Sequence, residues 1–351
     1  MNLTSYRTLG RSGLVVSPMA LGTMTFGTAR WGADDDKASA IFNAYTEAGG
    51  NFIDTADVYA GGRSEEIVGA CIAKRSLRDK VVLATKFTWN LEPGNPNAGG
   101  NGRKNIHRAL NASLKRLVTD YIDLYWMHFW DMVTPIEEVL QTFGDLICAG
   151  KIRYFALSDV PAWYAVKMAV LAQARGVVGP IALQLEYSLV ERNVENEHMP
   201  AARECGFGIT PWSPLAGGFL AGKYHRQDGR VEGQGRLNGA NPFGETKFTD
   251  HNWQVLAALK KVALQTDHSQ AQIALAWMLT RPGVTSLLLG ASKPTQLEES
   301  IAAMSVALTS TQIKTLDEAS VPSATFPYSA FIPNVKQMIF GGTSVDAWKE
   351  H

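Results

Sequence analysis

Cysteine is scarce in this 351-residue sequence: Cys71, Cys148 and Cys205 lie far apart and are odd in number. No pair has the spacing of a zinc site or a redox motif, so reduced thiols are expected. Net charge is absent too, with 33 Lys+Arg against 33 Asp+Glu. That balance argues against nucleic acid or an anionic membrane as the main partner. No apolar run approaches the ~20 residues of a membrane span. The opening MNLTSYRTLG lacks a basic stretch followed by an apolar core, so no secretory signal is expected. The seven histidines show no HxH or HExxH spacing, which speaks against a metal site. GGNGRK lacks the lysine-hydroxyl ending of a phosphate loop. A soluble, cytoplasmic protein is therefore expected.

The chain is 46% hydrophobic, enough for a sizeable core. Short apolar runs alternate with amphipathic stretches almost end to end. Strands are expected at 19–23, 51–55, 81–85, 122–127, 154–158, 181–187, 208–213 and 285–290. Helices are expected at 35–48, 64–74, 105–118, 135–149, 161–175, 195–205, 252–265, 269–280, 294–304 and 309–320, with Asn105 and Ser310 as N-caps. Eight strands alternating with helices imply parallel pairing and a closed (β/α)8 TIM barrel, a single domain over 1–351. An open doubly wound sheet fits less well, because no glycine-rich turn follows an early strand. A β-hairpin around Gly10–Gly13 should cap the barrel floor. The long segments 89–105 and 217–250 both follow strands, so both should lie on the catalytic rim.

Three apolar runs end in ionisable groups. NFIDT delivers Asp54, VVLATK ends at Lys86, and IDLYWMH ends at His128; Tyr59 follows just past the first. Alone, each has a bland reading: a helix cap, a solvated strand end, a core histidine. In a parallel barrel all strand ends open on one mouth, so the four should converge there. Together they suit protonation of a carbonyl oxygen as hydride arrives. A free tyrosine, with pKa about 10, is a poor acid near neutrality. The Lys86 ammonium should lower that value, Asp54 should keep Lys86 charged, and His128 should orient the substrate oxygen.

NFIDTADVY, LATK and DLYWMH resemble the Asp-Tyr-Lys-His segments of the aldo-keto reductase superfamily. The resemblance runs from YRTLGRSGLVVSPMALGTMTFG to GASKPTQLEESIAAM and is nearest the bacterial branch similar to potassium-channel β subunits. It implies a (β/α)8 barrel that binds an extended nicotinamide dinucleotide without a Rossmann domain. It also implies Tyr59 as general acid, supported by Asp54, Lys86 and His128. ALSDV resembles a Ser-Asn pair that holds the carboxamide, giving Ser158 and Asp159, with Gln184 as third partner. Asp159 departs from the pattern, since an ionised carboxylate accepts hydrogen bonds but cannot donate one. PWSPLAGGFLAGK resembles the segment that stacks on the nicotinamide and wraps the pyrophosphate. This assigns Trp212, Ser213, Pro214, Leu215, Gly217 and Lys223. Gly22, Thr23, Met24 and Asp54 join them.

LLGASKPTQLEES resembles the adenosine-phosphate segment, giving Gly290, Ser292, Lys293, Gln296, Glu299 and Ser300. Gln296 stands where many members have arginine, and Ser300 where many have asparagine. The resemblance implies NADP in preference to NAD. The aromatic set Phe26, Trp31, Phe87, Trp89, Phe129 and Trp130 suggests a broad apolar pocket for aromatic or fused-ring carbonyl compounds. A Schiff-base aldolase using Lys86 and a cofactor-holding sensor are the competing readings.

Overall fold

The computed structural model describes residues 1–29, 31–227, 230–233, 235–238 and 247–345. Residues 1–320 and 321–351 form separate compact units. In the first, eight parallel strands follow one another around a barrel: β3 (Met19–Gly22), β4 (Phe52–Asp54), β5 (Val82–Phe87), β6 (Ile122–Met127), β7 (Ile152–Ser158), β8 (Ala182–Glu186), β9 (Gly208–Trp212) and β12 (Leu287–Gly290). β12 pairs with β3, which starts the ring. The seam between β9 and β12 closes through a single parallel bridge, Ile209 to Val284. An open sheet is therefore excluded.

Alternation along each strand divides the core in two. A side chain points to opposite faces at successive positions. Ala20, Phe52, Val82, Ala84, Leu124, Trp126, Ala156, Ala182 and Leu288 form one apolar cluster inside the barrel. Ile53, Leu83, Phe87, Tyr125, Met127, Phe155, Leu157, Leu183 and Leu289 belong to the larger cluster that packs the sheet against the helices. Two residues beyond the interior apolar positions come Asp54, Lys86, His128, Ser158 and Gln184. Strand periodicity alone turns these polar groups inward at the mouth.

The surrounding helices are α1 (Asp35–Glu47), α2 (Arg63–Arg75), α3 (Arg103–Arg116), α4 (Ile136–Cys148), α5 (Ala162–Arg175), α6 (His198–Cys205), α7 (Asp250–Thr266), α8 (Gln270–Leu279), α9 (Pro294–Ala302) and α10 (Ser310–Ala319). Two caps differ from expectation. α3 starts after Gly102, and Asn105, inside the helix, donates back to Gly100 O at 2.8 Å. The N-cap of α10 is Thr309, which accepts from Gln312 N in a reciprocal capping box. Ser310 is the first helical residue.

The expected hairpin is present as β1 (Arg7–Thr8) and β2 (Val15–Val16), paired antiparallel. Its Leu9 and Val16 join the interior cluster at the floor. Gly10 has φ +61°, and a Cβ there would lie 2.3 Å from Ile181 O and 2.5 Å from Gly208 N. Only glycine fits this approach of the hairpin to the strand starts.

Segment 89–105 is irregular until α3 begins. Segment 217–250 contains a second hairpin, β10 (Tyr224–Gln227) with β11 (Arg230–Gly233); residues 228, 229, 234 and 239–246 of that stretch lie outside the described residues. The second unit carries a short helix, α11 (Pro333–Ile339), and exposes Phe326, Phe331, Met338 and Ile339. Among the described residues, no helix is long and apolar enough to cross a membrane.

Gly10→Ala and Gly176→Ala separate strain from contact. Gly176 also has positive φ (+63°), but a Cβ there meets nothing within 4 Å. Gly176→Ala should cost about 1 kcal/mol of backbone strain, and Gly10→Ala at least ~2 kcal/mol more. Denaturant unfolding of both variants checks this; equal losses would remove the packing role of Gly10.

Candidate active site

The site is built around a buried ammonium. Lys86 and Asp54 are both fully buried. Lys86 Nζ donates to Asp54 Oδ1, to Thr55 O at 3.0 Å and to Tyr59 Oη at 3.3 Å. Three donors meet three acceptors, so no proton of the ammonium is left over. The other carboxylate oxygen, Asp54 Oδ2, accepts from Gln184 Nε2 at 3.1 Å. Tyr59 arrives on the short turn Tyr59–Gly62 after β4, where Ala60 takes φ +49°. Its ring meets His128 edge-on, 5.8 Å between centroids.

Burial disfavours the Lys86 ammonium, yet Asp54 and Tyr59 outweigh it and hold its pKa above the usual lysine value. Burial likewise raises the Asp54 carboxyl, with Lys86 and Gln184 opposing. For Tyr59 the expected lowering is overturned. Burial raises its pKa, and Asp54 adds to that; Lys86 opposes but does not win. Tyr59 is therefore a protonated phenol at neutrality, with a cation placed to stabilise the phenolate. His128 is pushed well below its ordinary range by burial and then by Lys86. A neutral imidazole carries one N–H. Its Nδ1 is enclosed without a partner, so Nε2 is the nitrogen suited to donate.

The expected pocket residues divide. Trp89 lies edge-on to His128 at 6.0 Å and 5.5 Å from Phe129, which puts this aromatic pair beside the imidazole. Trp130 turns instead toward α5, meeting Trp163 at 5.5 Å and Tyr164 at 6.0 Å. Trp31 lies under the Arg236 guanidinium, 5.6 Å away. Phe87 does not face the pocket. It follows the inward Lys86, so alternation sends it outward against Tyr125 and Phe143. Phe26 is also fully buried in the helix-side core and cannot line a pocket.

Of the remaining positions, Ser158 and Gln184 are neighbours in register on β7 and β8. Trp212 ends β9, and its Nε1–H donates to Asp159 Oδ1 at 3.0 Å. Asp159 has φ +46° and Ser213 φ +54°, strained conformations directly after strands. Ser213 Oγ accepts from Gly217 N at 3.2 Å, and Pro214 and Leu215 pack inward beside it. Thr23 Oγ1 donates to Asp54 O at 3.1 Å, which ties Gly22–Met24 to the site. Ser292 donates to Gln296 Oε1 through N and Oγ, at 3.0 and 3.1 Å. Ser300 Oγ donates to Gln296 O at 2.8 Å. Lys223, Lys293 and Glu299 are exposed.

Two residues escaped sequence reasoning. Asn101 is fully buried in segment 89–105. It bonds Thr88, Phe129 O and Asp131, at 2.8, 2.9 and 2.8 Å, and so fixes the loops that carry Trp89 and Phe129. Arg236, on the segment after β11, sits over Trp31 and acts electrostatically on Tyr59. An asparagine amid glycines and an arginine in a polar loop carry little local signal.

Lys86→Met removes one partner of the buried pair. At neutral pH this should cost about 3–5 kcal/mol, because Asp54 is left ionised without a counter-charge. Burial already raises that carboxyl, and losing Lys86 raises it further. The variant's stability is thus best at acid pH and falls as pH climbs through the folded pKa. Denaturant unfolding across pH tests this, and a deficit equally large at acid and neutral pH would contradict it.

Comparison with known proteins agrees with this geometry. The model of the aldo/keto reductase family matches residues 18–321. A probable voltage-gated potassium channel subunit beta of Oryza sativa subsp. japonica is 38% identical over 306 residues, 86% of this chain and 91% of that protein. Norsolorinic acid reductase of Aspergillus flavus is 32% identical over 349 residues, 96% of this chain and 87% of that protein. An aryl-alcohol dehydrogenase of Pestalotiopsis microspora is 32% identical over 335 residues, 93% and 83%. The chain belongs to the aldo/keto reductase family and is an NAD(P)H-dependent oxidoreductase.

Proposed function

We propose that this protein reduces an aldehyde or ketone to an alcohol with NADPH, and that its substrates are aromatic or fused-ring carbonyl compounds. One observation carries the reading: Lys86 Nζ is shared between Asp54 and the Tyr59 hydroxyl, 3.3 Å away, with neutral His128 against the same ring. The bound cofactor would supply the hydride. Tyr59 would give its phenolic proton to the carbonyl oxygen. Lys86 would stabilise the phenolate as that proton leaves, and its own charge is secured by Asp54. His128 would donate from Nε2 to the same oxygen and fix its direction. Trp89 and Phe129 would hold an aromatic substrate and exclude water.

The donor set fits a nicotinamide dinucleotide. Ser158, Gln184 and Asp159 offer a carboxamide several polar partners, and Trp212 offers a ring face beside them. Segment 290–296 leads into the N-terminus of α9, where backbone N–H groups favour phosphate. A Cβ at Gly290 would meet nothing within 4 Å, which leaves open space there. The printed names of the two fungal relatives, a norsolorinic acid reductase and an aryl-alcohol dehydrogenase, support aromatic substrates. An aldolase reading is disfavoured: Schiff-base chemistry needs a neutral amine, whereas Asp54 keeps Lys86 charged. A sensor role, which the potassium-channel relative keeps in view, is separated from catalysis by turnover itself.

Tyr59→Phe should lower turnover of an aromatic aldehyde by roughly 10²-fold or more while NADPH still binds. Near-parent rates would remove Tyr59 as the acid. Cofactor choice gives a second test. Gln296 spends its amide oxygen on Ser292, so Lys293, exposed and in no ion pair among the described residues, is the remaining cation. A compact ammonium recognises the 2′-phosphate less strictly than a planar fork. Lys293→Ala should therefore bring kcat/KM for NADPH close to that for NADH, mainly by weakening NADPH. Equal losses for both cofactors would place Lys293 on a group they share.

A further inference from the structure

Asp159 is held on every side. Its backbone N–H donates to Gln184 O at 3.1 Å, and its φ of +46° directs the side chain across the mouth. There Oδ1 accepts the Trp212 indole N–H at 3.0 Å, and Oδ2 lies 3.3 Å from Ser158 Oγ. One residue thus joins three of those assigned above to the nicotinamide end, Trp212 and Ser158 through its carboxyl and Gln184 through its backbone N–H. We propose that Asp159 is a proton-dependent selector between the oxidised and reduced forms of the cofactor. The inference rests on the cofactor reading of the preceding subsection.

The argument is electrostatic. An oxidised nicotinamide ring carries a positive charge and a reduced ring carries none. A carboxylate beside the ring favours the cation; a protonated carboxyl does not. The protonated form can also donate to an amide oxygen, as an asparagine amide would, and the ionised form cannot. An asparagine in this position would make the hydrogen bonds without the switchable charge.

The surroundings place that switch near neutrality. Burial raises the Asp159 pKa to about 7, against hydrogen bonds from Trp212 and Ser158; Glu186 raises it and Lys86 lowers it. Glu186, on β8, is paired with Lys247 at 3.0 Å. On α6, His198 contacts Val160 O, one residue along, at 2.8 Å. The test therefore compares Asp159 with an uncharged replacement, which leaves these neighbours in place.

Dissociation constants for NADP+ and NADPH, read by calorimetry and by quenching of tryptophan emission, test the proposal. In the parent, the ratio of the NADP+ constant to the NADPH constant should fall by roughly tenfold between about pH 5.5 and about 8.5, the effect of a one-unit shift in a single carboxyl. The 2′-phosphate titrates as well, but both forms carry it and it cancels in the ratio. In Asp159→Asn the ratio should stay flat. Binding of NADP+ to the parent near pH 7 should also release protons, measured in two buffers of different ionisation enthalpy, and this reading needs no variant. A flat ratio in the parent, an Asn variant that keeps the slope, or NADP+ binding without proton release would overturn the selector. Trp212→Ala separates the two levels. If that variant quenches as fully as the parent, the cofactor placement fails and the selector with it. If quenching is lost while the parent ratio is flat, only the selector fails.

Discussion

The constraint on which the site depends is the burial of an ion pair at the top of a barrel. Taking the Lys86 ammonium and the Asp54 carboxylate out of water costs several kcal/mol for each ion. The cost is offset only where every proton and lone pair finds a partner. Thr55 O, Tyr59 Oη and Gln184 Nε2 complete that set. Deeper in the barrel the neighbours Phe52 and Ala84 offer no such partners. Polar strand ends at a shared mouth do. The pair also orders what surrounds it: its cation opposes the burial that raises Tyr59 and deepens the neutrality of His128. Burial sets the direction of both shifts, and the cation moderates the first and reinforces the second.

Much of this was legible because it repeats with a short period. Eight short apolar runs alternating with helices predicted the barrel, three of them ending in ionisable groups predicted the convergence of Asp54, Tyr59, Lys86 and His128, and β6 matched its expected bounds of 122–127. The same periodicity, carried one residue further, would have sent Phe87 outward. It was placed in the pocket by residue type, and parity decides otherwise. Helix starts were less legible: Gly102 and Thr309 took the places expected for Asn105 and Ser310, because a cap depends on which loop meets the helix. Arg236 and Asn101 were invisible for a related reason. Their importance lies in contacts with Trp31 and Phe129, far along the chain.

The direction of the Tyr59 shift shows what sequence cannot weigh. Adjacency of a lysine and a tyrosine argues for a lowered phenol. Enclosure argues the reverse, and only the packed structure says how far water is excluded. A raised phenol suits the acid role proposed for Tyr59, since a proton donor must hold its proton until the substrate oxygen demands it.

The seam between β9 and β12 has a consequence for how the barrel breathes. Elsewhere neighbouring strands share two or more residue pairs in register, from two between β7 and β8 to five between β6 and β7. At the seam one bridge serves, with Thr285 N donating to Ile209 O at 2.7 Å and Ile209 N to Gly283 O at 3.1 Å. Local opening follows the weakest cooperative contacts, so amide protons along this seam should exchange before those of the other strands. The segments after β9 and β12 flank that seam, and they are the two assigned to the dinucleotide. A ligand spanning both would supply rungs that the backbone lacks and would fasten the cylinder at its loosest stave.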